Sequence, residues 1–461
     1  MKYKISFIFF VAFLIRLISL NQSLWLDEAT TARVVQQYNF LEIITKFSPN
    51  DFHPPLYYLL MKAWTGIFGY TEISLRMPSV LFSILTGYVI YLIGKQVFPT
   101  SSFGLHGARW AAAFFLFNPL IVYYSQEARM YMMATFLLTT ALYFYLSLSI
   151  NLRGSPASLL NRGGSISIFL FSLSISLSFL TFYGSIFLII PMGIYLFYKK
   201  KYRNFFVFLL LFTVTILLLS SLLYRQIINA RQQLQLVPNW TTVLGSANLK
   251  NLLLIPLKFS IGRVSFYPKW FYWVISGAWT SFIWFYVIKV GLKQKLLLFL
   301  VFGSLGFGIL FSLFSPLLQY FRFIFLMPII SILLALENHT PINRLIGVGG
   351  FLIFSVIYLL FPTFHREDWK SLAKNLNKSE VYMILSSSDP VRYYKKDLKI
   401  LDLKSITDAK SLDKEITVIP YVVDIHGIDY QKILSGKKYK LVQQSIFRGL
   451  VVEKWNNYSS M

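Results

Sequence analysis

Residues 199–223 read KKKYRNFFVFLLLFTVTILLLSSLL, a cationic start followed by twenty residues without a charge. A bilayer core about 30 Å thick is crossed by about 20 apolar residues in helical form, so 204–223 is long enough to span it. The pattern recurs along the chain, and spans are predicted at 3–20, 73–94, 107–123, 130–150, 165–180, 182–198, 204–223, 271–288, 296–314, 322–337 and 343–361. Residues 55–69 read as a shallow or re-entrant helix. Composition agrees: 56% of the 461 residues are apolar and 14% charged, with mean hydropathy +0.58. A soluble domain carries about 25% charged residues. The chain is therefore read as a polytopic α-helical membrane protein of about 11 transmembrane helices. The apolar run after Lys2 and Lys4 reads as an uncleaved first span, since it is long, is interrupted by Arg16 and lacks a small-residue cleavage pattern.

The net charge of +25 points to membrane orientation rather than to nucleic acid. Lys95, Arg153, Arg162, Lys199 to Arg203, Lys289, Lys293, Lys295 and Arg344 fall in or beside short connections on one side of the eleven-span topology. The excess of Lys and Arg in short loops marks that side as cytoplasmic. Loop 21–72, the turn near 124–129, loop 224–270, turn 315–321 and the tail 362–461 then lie outside. Loop 224–270 holds Arg225, Arg231, Lys250, Lys258, Arg263 and Lys269 and no acid. Its charge fits either a phosphate-bearing lipid or anchoring to anionic bulk lipid. The absence of cysteine removes disulfides and thiolate metal sites from consideration.

Two domains are expected, a membrane domain over 1–361 and a small extracytoplasmic α/β domain over 362–461. The second is read from a short helix at 367–377 and strands at 381–385, 416–423 and 448–453.

Only Asp27, Glu28, Glu42, Asp51, Glu72, Glu127 and Glu337 are acidic before residue 362. Carboxylates are costly near hydrocarbon, which makes them site candidates, although Glu42 and Glu72 read as hydrated loop residues. Asp27-Glu28 follows the first span almost at once. It suits either a proton-accepting site or the capping of a helix N-terminus. Glu127, Arg129 and Tyr131 supply an acceptor, a fixed cation and a phenol within five residues, as a hydrogen-bond network toward phosphate or as a structural anchor. His53, beside Asp51 and before Pro54-Pro55, suits substrate contact, proton transfer or metal ligation. Arg322 opens a span as a phosphate clamp or a snorkelling residue.

Together these segments resemble bacterial GT-C membrane glycosyltransferases of the protein O-mannosyltransferase and lipid A aminoarabinose transferase group. The resemblance rests on Leu24-Trp25-Leu26-Asp27-Glu28-Ala29, His53-Pro54-Pro55-Leu56-Tyr57-Tyr58, Leu75-Arg76-Met77-Pro78-Ser79 and Tyr124 to Tyr131. Residues 319–328 and Glu367-Asp368-Trp369-Lys370 extend it. It implies a GT-C fold and an inverting transfer from a polyprenyl-phosphate sugar to a hydroxyl on a protein, glycan or lipid, at the outer face of the cytoplasmic membrane. By that resemblance Asp27 is the base, Glu28 orients the acceptor or Asp27, and Glu127 holds the acceptor or the site loop. Arg129 and Arg322 neutralise the lipid phosphate, and His53 is a further substrate contact. Some members hold a divalent metal ion, but the spacing here defines no ligand set. A polyprenyl-lipid flippase and a non-catalytic polysaccharide-assembly scaffold are the alternatives.

Overall fold

The computed structural model describes residues 5–97, 104–149, 164–336, 341–376, 380–409 and 412–458. Arg153, Arg162 and Glu337 lie outside the described residues. Among the described residues six helices are long and apolar enough to cross a membrane: Glu72–Lys95, Tyr131–Leu148, Tyr202–Leu236, Lys269–Gly291, Lys295–Ser312 and Ile342–Leu360. Shorter apolar helices run over Ile5–Leu17, Ser165–Thr181, Tyr183–Tyr198 and Tyr320–Leu336. Each of these coincides with a predicted span. The polytopic helical fold with a small C-terminal sheet unit is thus as expected.

The predicted span 107–123 is broken. Helix Gly104–Leu116 ends before Asn118, whose side chain accepts hydrogen bonds from Leu120 and Ile121 N–H (2.9 and 3.2 Å) to cap a new short helix, Pro119–Ser125. Pro119 has no N–H to offer and suits the first helical position. Asn118 Nδ2 also donates to Phe259 O at 2.8 Å, tying the break to helix Leu249–Ile261. The short helix delivers the chain into the turn Gln126–Met130.

Helix Tyr202–Leu236 has 35 residues, about 52 Å at 1.5 Å per residue, against about 30 Å of hydrocarbon. Its surplus turns project beyond the span read as 204–223 and meet the loop after residue 47. Gln226 Nε2 donates to Ser48 O at 2.7 Å and to His53 O at 3.1 Å, and Asn229 Nδ2 donates to Pro49 O at 2.6 Å. Part of the predicted loop 224–270 is therefore helix, and it fixes the backbone that carries Asp51 and His53.

After residue 361 the chain builds a five-stranded sheet, β1 (Glu380–Met383), β2 (Lys399–Asp402), β3 (Glu415–Val418), β4 (Tyr439–Phe447) and β5 (Leu450–Asn457), in the order β2-β1-β3-β5-β4. β1 runs parallel to β2 and β3, while β5 is antiparallel to β3 and β4. Helix Trp369–Asn375 starts on Asp368, whose side chain accepts from Ser371 N–H (3.1 Å), and it buries Trp369 and Leu372 against Val381, Met383 and Val452.

This unit packs on the membrane helices. Helix Asp389–Tyr394 lies on helix Leu26–Gln37, where Asp389 takes Arg33 Nε (2.7 Å) and Thr30 Oγ1 (2.8 Å). Tyr393 donates to Tyr70 O at 2.5 Å. Glu72 pairs with Lys370 (2.9 Å) and accepts from Tyr394 (3.3 Å). It is a docking residue rather than the hydrated loop acid its position suggests, whereas Glu42 pairs locally with Lys46 at 2.7 Å.

Candidate active site

Helix Leu26–Gln37 begins with Asp27 and Glu28 in its first turn, where the positive end of the helix dipole favours anions. The two neighbours have opposite fates. Glu28 is fully buried and receives Arg76 through Nε to Oε1 (2.8 Å) and Nη2 to Oε2 (2.6 Å). Arg76 also donates to the carbonyls of Leu20, Gln22 and Ser23, and Ala128 N–H donates to Glu28 Oε1 at 2.8 Å. Trp25 N–H reaches Glu28 Oε2 at 3.4 Å. The capping reading thus fits Glu28, which locks the Leu20–Trp25 turn to the Gln126–Arg129 turn and is too enclosed to touch an acceptor.

Asp27 points the other way. Its side chain is 37% exposed and its Oδ2 lies 3.4 Å from Arg129 Nη2. Charge-assisted pairs close to about 2.7–2.9 Å, so this carboxylate is held loosely. Arg129 is buried, and the same Nη2 lies 3.4 Å from His53 Nε2. His53 Nδ1 lies 3.3 Å from Asp51 Oδ1. Nδ1 thus faces Asp51 and Nε2 faces Arg129, so the ring bridges the two. Burial pushes the Asp51 carboxyl up, but His53 and then Arg129 outweigh it and hold it below its usual range. Arg129 Nε is buried without a partner among the described residues. An unpaired guanidinium donor beside an accessible carboxylate suits an incoming anion.

Glu127 is buried and pairs with a residue the motifs did not single out. Arg366 donates through Nε (3.1 Å) and Nη2 (3.0 Å) to Glu127 Oε1, and its guanidinium carbon lies 3.7 Å from the centre of the Trp25 ring. Burial raises the Glu127 carboxyl above its ordinary range, and the nearby Arg366 opposes this without cancelling it. Arg263 donates to the hydroxyl of Tyr123, over whose ring it also stacks at 4.8 Å. Of the basic loop, Arg263 is the residue drawn to this cluster.

Tyr131 sits among Tyr124, Phe182 and Phe321, with ring centroids 5.3–5.8 Å apart. Its phenol is within electrostatic reach of both Arg129 and Arg322. Arg322 donates to Leu244 O (3.1 Å) and Pro316 O (3.3 Å), so it serves the surrounding loops as well. The structure therefore gathers Asp27, His53, Arg129 and Asp51 into one chain of contacts, with Tyr131 and Arg322 at its edge. Glu28 and Glu127 stand behind it.

Sequence reasoning missed Arg76, Arg366 and Arg263 as partners. Arg76 lies within a quoted segment, but its contact with Glu28 spans 48 positions, and Arg366 reaches Glu127 across 239. Among the described residues no group of three or more His, Asp or Glu could hold a metal ion. The cation between Asp27 and His53 is Arg129, so the set does not fit a divalent ion.

Residues 52–224 match the family model described as dolichyl-phosphate-mannose-protein mannosyltransferase. No curated protein sequence gives a match. Among solved structures, ArnT from Cupriavidus metallidurans in the apo state matches with TM-score 0.60 at 12% identity, covering 97% of each chain. The same enzyme bound to undecaprenyl phosphate matches with TM-score 0.57, at the same identity and coverage. The archaeal oligosaccharyltransferase AglB from Archaeoglobus fulgidus, in complex with an inhibitory peptide and a dolichol-phosphate, matches with TM-score 0.53 at 12% identity, over 95% of this chain and 73% of that one. At such identity the structural likeness is one of fold. With the family match it bears out the resemblance to GT-C glycosyltransferases of the protein mannosyltransferase and ArnT type.

Proposed function

We propose that this chain, a multi-pass membrane protein of the GT-C glycosyltransferase type, moves a sugar from a polyprenyl-phosphate donor to an acceptor hydroxyl on a protein, glycan or lipid. The observation that carries this is the pairing of an accessible carboxylate, Asp27, with a buried guanidinium, Arg129, that retains an unpaired donor. The bound lipids of ArnT and AglB make a polyprenyl phosphate the donor class to test first.

Asp27 accepts the acceptor's hydroxyl proton as that oxygen forms a bond to the anomeric carbon. The bond from that carbon to the phosphate oxygen breaks, and its electron pair leaves with the lipid phosphate. Arg129, with Arg322 nearby, stabilises the charge gathering on the leaving oxygen. A single displacement inverts the anomeric centre. His53 acts by holding Arg129, and Asp51 by holding His53. A lipid donor brings its own anchor and leaving group.

The placing of the Lys- and Arg-rich short connections supports an Asp27 face on the outer side of the cytoplasmic membrane. Residues 1–361 then form the catalytic membrane domain and 362–461 a small domain on that same face. Mass spectrometry of native glycans and glycolipids from wild-type and gene-deleted cells tests the reading. Loss of one sugar on deletion, restored by the wild-type gene and not by D27A, supports it. An unchanged profile, with purified protein moving polyprenyl lipid between leaflets and transferring no sugar, overturns it in favour of a flippase.

A further inference from the structure

Two turns carry the candidate site. Ser23–Glu28 presents Asp27, and Gln126–Arg129 presents Arg129. They are joined from within by Glu28, which takes Arg76 and the Ala128 N–H. A second link comes from outside. Arg366 stacks its guanidinium over Trp25 in the first turn and donates two hydrogen bonds to Glu127 in the second. We propose that the C-terminal unit is a working part of the transfer site, with Arg366 as a positioning residue that straps these two turns together. Its place in a transfer site rests on the function proposed above.

The fold holds Arg366 for this task. The β4–β5 hairpin tip grips the strap from behind: Arg448 Nε donates to Arg366 O at 2.7 Å, and Asp368 N–H donates to Arg448 O at 2.9 Å. Gly449 closes that tip at φ +73°, and a Cβ there would come 3.0 Å from Glu367 Cγ. The conformation and the close approach both favour glycine. The sheet unit also holds the first turn directly. Ser23 Oγ accepts from Lys370 N–H (3.1 Å), and Leu24 N–H donates to the hydroxyl of Tyr394 (2.9 Å). The Asp389 contacts with Arg33 and Thr30 grip the helix that starts with Asp27. The Asp27 turn is thus held by Arg76 and the Ala128 N–H inside and by the C-terminal unit outside. A mere lid would need no guanidinium between Trp25 and Glu127.

Hydrogen–deuterium exchange on the full chain, read by mass spectrometry for wild type, R366Q and R366K, tests the strap without a substrate. R366Q is expected to speed exchange in peptides covering 22–30 and 124–131 by roughly tenfold or more, with the sheet strands protected as in wild type. R366K, which keeps a cation for Glu127, should recover part of that protection. Wild-type exchange at both turns in R366Q overturns the proposal. So does loosening of the whole sheet unit that R366K fails to relieve, since Arg366 would then be a fold anchor only. Restoration of the missing sugar in deleted cells separates the two readings. If D27A abolishes transfer while R366Q leaves it at the wild-type level, the strap falls and the glycosyltransferase reading stands. If wild type transfers nothing while R366Q loosens both turns, the function falls and the structural coupling stands.

Discussion

Arg129 Nη2 lies 3.4 Å from Asp27 Oδ2, and the same nitrogen lies 3.4 Å from His53 Nε2. Both contacts are long, in contrast to the 2.6–2.8 Å pair of Glu28 and Arg76 a few residues away. Arg129 therefore holds Asp27 close but loosely. On the function proposed above, a phosphate entering the site would compete for the guanidinium and free Asp27 to take a proton.

R129Q should weaken binding of undecaprenyl phosphate by about 10–100-fold, the range expected for loss of hydrogen bonds to a charged group. R129K should recover little, because an ammonium cannot serve Asp27, His53 and phosphate with a planar fork. Titration of the purified protein with undecaprenyl phosphate at two salt concentrations measures both. Unchanged affinity in R129Q would remove the phosphate from this residue.

Glu28 and Arg76 are expected to matter for folding. Removing one partner from a fully buried ion pair costs about 3–5 kcal/mol, because the other charge stays enclosed. E28A and R76A should both lower the thermal midpoint of the detergent-solubilised protein sharply. D27A, whose side chain is partly exposed and makes one long contact with Arg129, should lower that midpoint by less. A fully stable E28A would contradict the clamp.

Glu127 gives a pH signature. In the unfolded chain its carboxyl ionises near the ordinary 4.5, and burial raises it in the folded chain. The folded state therefore binds the proton more tightly, so this group lowers stability as pH rises from 4.5 through the raised value, with no further change above it. Asp51 has the opposite sign and acts below 3.8, outside that window. Thermal unfolding of wild type and E127Q from pH 4.5 upward should show a falling component that the variant lacks. Parallel curves would contradict it.

Much of this architecture is legible in the sequence, because the bilayer sets the length of an apolar run. Residues 271–288 follow from run length alone, whereas 204–223 give only the apolar part of helix Tyr202–Leu236. The break at Asn118 was hidden by apolar residues on both sides of the capping side chain. In the sheet, β4 went unread because Lys440, Gln443 and Gln444 make its exposed face look like loop. β2 is four residues long, and its sequence shows the same lack of contrast. Asp27 and Arg129 were readable as local motifs at helix starts. Arg366 was not, since nothing near residue 366 reveals a partner at Glu127. That Glu28 is an internal clamp while Asp27 is accessible depends on which way each leaves the same helical turn, and adjacency in sequence conceals this.

If Asp27 is the base of a sugar transfer from a polyprenyl-phosphate donor, D27N should stop the transfer without disturbing the site. This change removes the charge and keeps the shape. Purified D27N should bind undecaprenyl phosphate at least as tightly as wild type, since Asp27 no longer competes for Arg129, and should keep a thermal midpoint close to it. In deleted cells the wild-type gene should restore the missing sugar, while D27N should reduce its transfer by about 100-fold or more, the usual share of a general base. Transfer by D27N at the wild-type rate, with binding intact, would contradict the account.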